Sequence, residues 1–188
     1  MLKNFFGFIF ELIKVVVISL AIIIPVRYFL IQPFYVKGAS MEPNFHDHEY
    51  LIIDEISYRF SEPERGDIVV FRYPKNPQEY FIKRVIGLPG ETIEIKDGDV
   101  IIYNKQYREG AVLEESYLEQ GTKTYSGFIK DTVVLEDDEY FVMGDNRNSS
   151  KDSRSFGPVN RSFVIGRVIL RGWPFDKFGV FKAPEYQF

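Results

Sequence analysis

The pattern of apolar positions divides the chain in two. From Phe5 to Ile31 apolar residues dominate, and Glu11, Lys14 and Arg27 are the charged interruptions. The uncharged stretch Val15–Val26 would rise about 18 Å as a helix, short of the ~30 Å hydrocarbon core of a bilayer, so a span must recruit its flanks. Lys14 and Arg27 can lay their aliphatic stems in hydrocarbon and lift their charges to the interface, with Glu11 three residues before Lys14 on the same helical face. One transmembrane helix is therefore predicted over about residues 5–31, inside an anchor segment 1–33. Two other readings fit the same stretch. A cleavable secretory signal also has a basic start and a small-residue run such as Gly38-Ala39-Ser40, and a buried core helix can be this apolar. The continuation through Tyr28, Phe29, Leu30 and Ile31 favours the anchor. Charge leaves orientation nearly balanced, Lys3 and Lys14 against Arg27 and Lys37, with the amino terminus tipping it to N-inside.

Beyond residue 34 the pattern changes to short runs rich in Val, Ile, Tyr and Phe, punctuated by Gly and Pro, which predicts many short strands. These fall at Tyr50–Ile53, Ile68–Tyr73, Tyr80–Ile86, Thr92–Lys96, Val100–Tyr103, Thr132–Leu135, Tyr140–Met143 and Val164–Leu170. Asp97-Gly98 between two of them suits a tight hairpin turn with positive φ. Residues 105–131 are more polar and Gly-punctuated, and are expected in a looser excursion away from the denser strands. The fold class expected is thus mainly β: an N-terminal transmembrane helix, then an antiparallel β domain over 34–188 with a smaller β insertion at about 97–138.

Composition narrows the chemistry. A hydrophobic share of 45% with 16% aromatics is globular and β-leaning. The net charge of −4, without a long basic run, lacks the footprint of a nucleic-acid binder. The absence of Cys excludes disulfides, a thiol nucleophile and Cys-ligated zinc. His46 and His48 form a His-x-His pair, but with no third histidine and so close to Ser40 they suit a solvated turn better than a metal site or a Ser-His-Asp triad. No metal or other cofactor is expected.

Three turn segments carry reactive side chains beside apolar strands. In Lys37-Gly38-Ala39-Ser40-Met41-Glu42-Pro43, small residues before Ser40 let a substrate backbone approach, although an ordinary turn serine reads the same. In Tyr80–Gly90, strand alternation puts Lys83 on one face with Phe81 and Val85. Desolvation there would favour a neutral amine able to act as a general base, whereas an edge-strand lysine that blocks aggregation is the plainer alternative. In Gly144–Arg154, Asp152 and Arg154 can pair and Ser150 can offer its hydroxyl to an amine, as could any polar loop.

Taken together and in order, these segments resemble the signature boxes of type I signal peptidases, Ser/Lys proteases that cleave signal peptides from exported proteins. Ser40-Met41-x-Pro43 resembles the nucleophile box, Lys83-Arg84-Val85-Ile86-Gly87-Leu88-Pro89-Gly90 the lysine box, and Gly144-Asp145-Asn146-Arg147 through Asp152-Ser153-Arg154 the C-terminal box. The resemblance implies that Ser40 attacks the scissile carbonyl after neutral Lys83 takes its proton. It further implies that Ser150 hydrogen-bonds and orients the lysine, that Asp152 and Arg154 form a structural ion pair, and that the Ser40 backbone N–H binds the oxyanion. Gly38 stands where many relatives have a serine that supplies a second oxyanion donor, so only its backbone is on offer. Asn148-Ser149 likewise replaces a common Asp-Asn. The implied partners are preprotein signal peptides and the lipid bilayer, with the catalytic domain held by a single pass on the extracytoplasmic side of the cell membrane.

Chain length agrees with that setting. From Ile31 to Ser40 the chain reaches at most about 30 Å, which keeps Ser40 near the membrane. Phe34, Val36, Met41, Phe45, Phe81 and Ile82 are expected to line small apolar pockets for the Ala-like residues the family prefers. A catalytically silent, membrane-tethered β module that binds extended peptides by strand addition stays open as the alternative, and nothing indicates an oligomeric state.

Overall fold

The computed structural model describes residues 2–29, 31–128, 131–184 and Tyr186, with side chains described for 5–24 and, within those ranges, from Pro33 onward. Helix α1 (Leu2–Phe29) opens the chain, and its segment Phe5–Ile24 is long and apolar enough to cross a membrane. None of that segment is buried against the rest of the protein. A soluble fold would leave such a helix with a large unpartnered apolar surface, which a bilayer covers. The helix ends earlier than its apolar pattern suggested, at Phe29, because Ile31 already opens strand β1 (Ile31–Tyr35). Pro33 suits this position: β1 is a sheet edge, where a missing N–H need not break a ladder.

The body is antiparallel. Strands β2 (Tyr50–Asp54), β3 (Ile68–Tyr73), β4 (Asn76–Gly87), β5 (Thr92–Lys96), β6 (Asp99–Tyr103), β7 (Ala111–Val112), β8 (Thr132–Val134), β9 (Glu139–Met143), β10 (Val159–Asn160), β11 (Val164–Trp173) and β12 (Gly179–Val180) follow in chain order. The eight-stranded sheet runs β1-β2-β11-β3-β4-β9-β10, with β12 paired to β11, and β7-β6-β5-β8 form a second sheet of four. All eight strands expected from the sequence are present, and Asp97 and Gly98 take positive φ of 55° and 92° at the β5–β6 turn. The pairs too short to carry a period, β7, β10 and β12, were invisible to pattern reading.

Alternation gives the large sheet two apolar faces. Ile68 and Val70 join Leu51, Ile53, Met41 and Phe45 on one side, while Val69, Phe71, Val85 and Val142 pack on the other. A third cluster, including Ile86, Ile93, Ile102 and Phe141, joins the two sheets. Among its described residues, the polar excursion at 105–131 is tied to the second sheet at two points. Leu113 and Thr124 are buried, their N–H groups donating to Val100 O at 2.8 Å and Gly98 O at 2.9 Å. Glu115, Tyr117 and Thr124 meet the buried Arg84 and Arg147 of the main body, while most of its other polar side chains stay exposed.

Candidate active site

The turn between β1 and β2 closes at its base, where Val36 N–H donates to Glu49 O at 2.9 Å and His48 N–H to Val36 O at 3.1 Å. Inside it, Phe45 N–H donates to Met41 O at 2.9 Å. That helical spacing puts Met41 and Phe45 on one side, facing the core, at 1% and 0% exposure. Ser40 is left at the turn's accessible edge. Both Met41 and Phe45 were expected to line a substrate pocket; they support the turn from beneath instead.

Gly38 takes φ +87° with open space where a Cβ would stand, so backbone conformation, not crowding, favours glycine there. Its N–H donates to Asp47 Oδ1 at 2.9 Å, which leaves it committed within the turn and unsuited to a second oxyanion contact.

Lys83 comes from β4, between β3 and β9. Its Nζ lies 2.8 Å from Ser40 Oγ, in hydrogen-bonding contact, and donates to Ile82 O at 2.7 Å. The residue is 4% exposed, and among the described residues no carboxylate lies within ion-pair distance of it. Burial lowers its pKa from the ordinary 10.5 to about 8, against the opposing pull of the Asp152 and Asp145 charges. Ser150 does not make the expected hydrogen bond to this amine. The Ile82 carbonyl takes that place, and the enclosed Ser150 hydroxyl lies beside the Asp152 carboxylate, whose ionised form it favours.

The loop after β9 holds the constellation together. Asp152 is fully buried and grips Arg154 through two side-chain bonds, 2.9 Å to Nε and 2.8 Å to Nη2, while accepting Gly144 N–H at 3.0 Å. Burial alone would raise the Asp152 pKa; the Arg154 contacts and the Gly144 N–H outweigh it and hold the carboxyl below its ordinary value. The same carboxylate caps helix α2 (Ser153–Phe156), accepting Arg154 N–H.

Two residues that sequence reasoning gave no role bring this loop to the nucleophile. Asn146 donates through its backbone to Ser40 O and through its side chain to Ala39 O, both at 3.1 Å. A Cβ on Gly144 would stand 2.3 Å from Ser40 O and 2.2 Å from Ser150 Oγ, so the close approach depends on glycine. The excursion contributes as well. Arg147 pairs with Glu115 and donates to Thr124 Oγ1, and Tyr125 O accepts from Arg154 at 3.3 Å.

A groove of about 570 Å³ opens beside Ser40 and Lys83. Phe34, Val36, Phe81 and Ile82 line it, joined by Leu51 and Tyr80. Phe34 and Tyr80 meet edge to face at 5.7 Å. The groove is therefore largely apolar along its walls, with Ser40 and Lys83 as its reactive point. A hydroxyl against an amine that burial makes easier to deprotonate can perform nucleophilic acyl transfer through the amine's neutral form. His46 and His48 are turned outward, beside Glu42 and Asp47.

Residues 9–173 match the family described as signal peptidase, peptidase S26. The chain is 39% identical over 175 residues to a probable signal peptidase I-2 of Synechocystis, covering 90% of this chain and 76% of that protein. It is 38% identical to a signal peptidase I of Leptolyngbya laminosa, with 93% and 84% covered, and 33% identical to a signal peptidase IB of Staphylococcus aureus, with 93% and 95% covered. With a match that spans helix, nucleophile turn, lysine strand and Asp-Arg loop alike, the chain belongs to the signal peptidase, peptidase S26, family.

Proposed function

We propose that this protein is a membrane-tethered serine endopeptidase that removes signal peptides from exported preproteins, with Ser40 as nucleophile and Lys83 as general base. The observation that carries it is the 2.8 Å contact between Ser40 Oγ and a lysine amine buried without a counter-ion. At a pKa of about 8 a useful fraction of that amine is neutral near physiological pH and can accept a proton.

Neutral Lys83 takes the Ser40 hydroxyl proton as Oγ bonds to the scissile carbonyl carbon. The tetrahedral centre collapses with rupture of the C–N bond, and the Lys83 ammonium returns its proton to the leaving amine. Water then attacks the acyl-serine, giving its proton to Lys83; the C–O bond to Ser40 breaks, and Lys83 reprotonates Oγ. The Ser40 backbone N–H is the proposed oxyanion donor. Ser150, whose hydroxyl can donate to Asp152 while its oxygen accepts, is the proposed acceptor for the ammonium's third hydrogen.

The tether supports this reading. The strand that follows α1 leads within a few residues to the Ser40 turn, so a signal peptide in the same bilayer presents its cut site at that depth. The β body sits on the extracytoplasmic side, where exported chains emerge. The apolar groove suits the small residues that precede such a cut.

The test is cleavage of an Ala-x-Ala preprotein by the purified full chain in lipid or detergent, read by product mass. Wild type cleaves at one site, and Ser40→Ala and Lys83→Ala each lose at least about a thousandfold in kcat/KM with the fold retained. Continued cleavage by Lys83→Ala would remove the lysine from the mechanism, and continued cleavage by Ser40→Ala would remove the nucleophile.

A further inference from the structure

The groove carries charge as well as apolar wall. Besides Lys83, its charged lining residues are Lys37, Lys151 and Glu79. Glu79 already accepts from Asn76 Nδ2 at 2.7 Å. Lys151 differs from the other cation, Lys37, in being placed. It follows Ser150 directly and precedes the fully buried Asp152, so its backbone is fixed by the Asp152–Arg154 pair. Its Nζ rests 4.3 Å from the centre of the Tyr73 ring and 5.9 Å from that of Phe81. Tyr73 and Phe81 are themselves stacked, 4.6 Å apart at 10°, which makes a rigid aromatic platform under the ammonium. Among the described residues no carboxylate pairs with Lys151, and the residue is exposed.

The platform also sets its distance from the chemistry. Phe81 lies 5.4 Å from Lys83 Nζ and 5.9 Å from Lys151 Nζ, so the two amines are at most about 11 Å apart, or about three residues of extended chain at ~3.3 Å each.

Granted the peptidase reading, we infer that Lys151 is a specificity-determining residue that favours substrates bearing an acidic side chain within about three residues of the scissile bond. An ammonium held on one wall of a half-closed groove attracts a carboxylate that passes it and disfavours a lysine at the same place. The exposed rim bounds the effect to a few-fold.

The experiment is a competition among Ala-x-Ala peptides that carry Glu, Gln or Lys at one position at a time, from three residues before the cut to three after, with kcat/KM read by product mass. At one or two adjacent positions the wild type prefers Glu over Gln by about three- to fivefold, and 0.5 M salt shrinks the ratio. Lys151→Gln brings it to about one, Lys151→Glu inverts it towards Lys, and Lys151→Arg restores it, while Lys37→Gln keeps the wild-type ratio. A ratio of one at every position in the wild type overturns the inference and leaves the peptidase reading intact, as does a preference that survives in Lys151→Glu or vanishes in Lys37→Gln. If the wild type cut no peptide in a Ser40-dependent way, the peptidase reading and this inference would fall together.

Discussion

Lys83 and Arg84 are neighbours on one strand, each 4% exposed, yet burial has opposite consequences for them. Alternation sends them to opposite faces of β4. Arg84 meets Asp145 in a two-pronged ion pair, 2.8 Å through Nε and 2.6 Å through Nη2, donates to Gly66 O at 3.0 Å and stacks on the Tyr117 ring at 3.9 Å. Burial would lower its pKa, but Asp145 outweighs burial and the guanidinium's proton is held more tightly than usual. Lys83 meets a hydroxyl and a carbonyl, neither of which can neutralise it, and burial prevails. A buried guanidinium with a carboxylate stays charged and structural; a buried lysine without one can serve as a base.

The contrast can be broken first from the Arg84 side. Arg84→Met strands the Asp145 carboxylate, 0% exposed, with Asn44 as its remaining side-chain donor, and should lower unfolding stability by about 3–5 kcal/mol. Urea denaturation at pH 7 measures this. Removing the neighbouring cation should do the reverse. In the folded state the Lys83 amine resists protonation, so its charge opposes folding fully below about pH 8, and that opposition fades as pH rises towards the ordinary 10.5. Lys83→Met should therefore gain on the wild type by on the order of 3 kcal/mol at pH 7, less the lost hydrogen bonds. The advantage should shrink between pH 8 and 10.5, a trend that the same denaturation series reads. Smallest is the change at Gly144, where a methyl would push against Ser40 O and Ser150 Oγ. Gly144→Ala should keep the fold and lose about ten- to a hundredfold in kcat/KM, by parting the hydroxyl from the amine.

Much of this contrast was legible in the sequence, because strand alternation already set Lys83 beside Phe81 and Val85, and Asp152 and Arg154 stand close enough to pair. The strands of the body were readable for the same reason, since a half-buried strand writes its period of two into the chain. What could not be read was long-range pairing. Nothing in Asn146, 106 positions from Ser40 and set in a polar loop, signals that it clamps the nucleophile turn, and Asp145 gives no sign of which arginine it meets. The excursion at 105–131 misled for a related reason. Most of its polar residues are solvated, but Glu115 and Thr124 enclose Arg147, and nothing in the pattern sets those two apart. Met41 and Phe45 were misassigned because a four-residue helical turn inside a β protein leaves no period to detect.

The central claim concerns one proton. Titration of the isotope-labelled Lys83 amine by NMR in the folded protein measures it directly, with Arg84 charged throughout. A midpoint near pH 8, matched by the rising limb of kcat/KM against pH, is the predicted result. A midpoint at 10.4 or above would contradict the account, since an amine charged at working pH could not take the proton from Ser40.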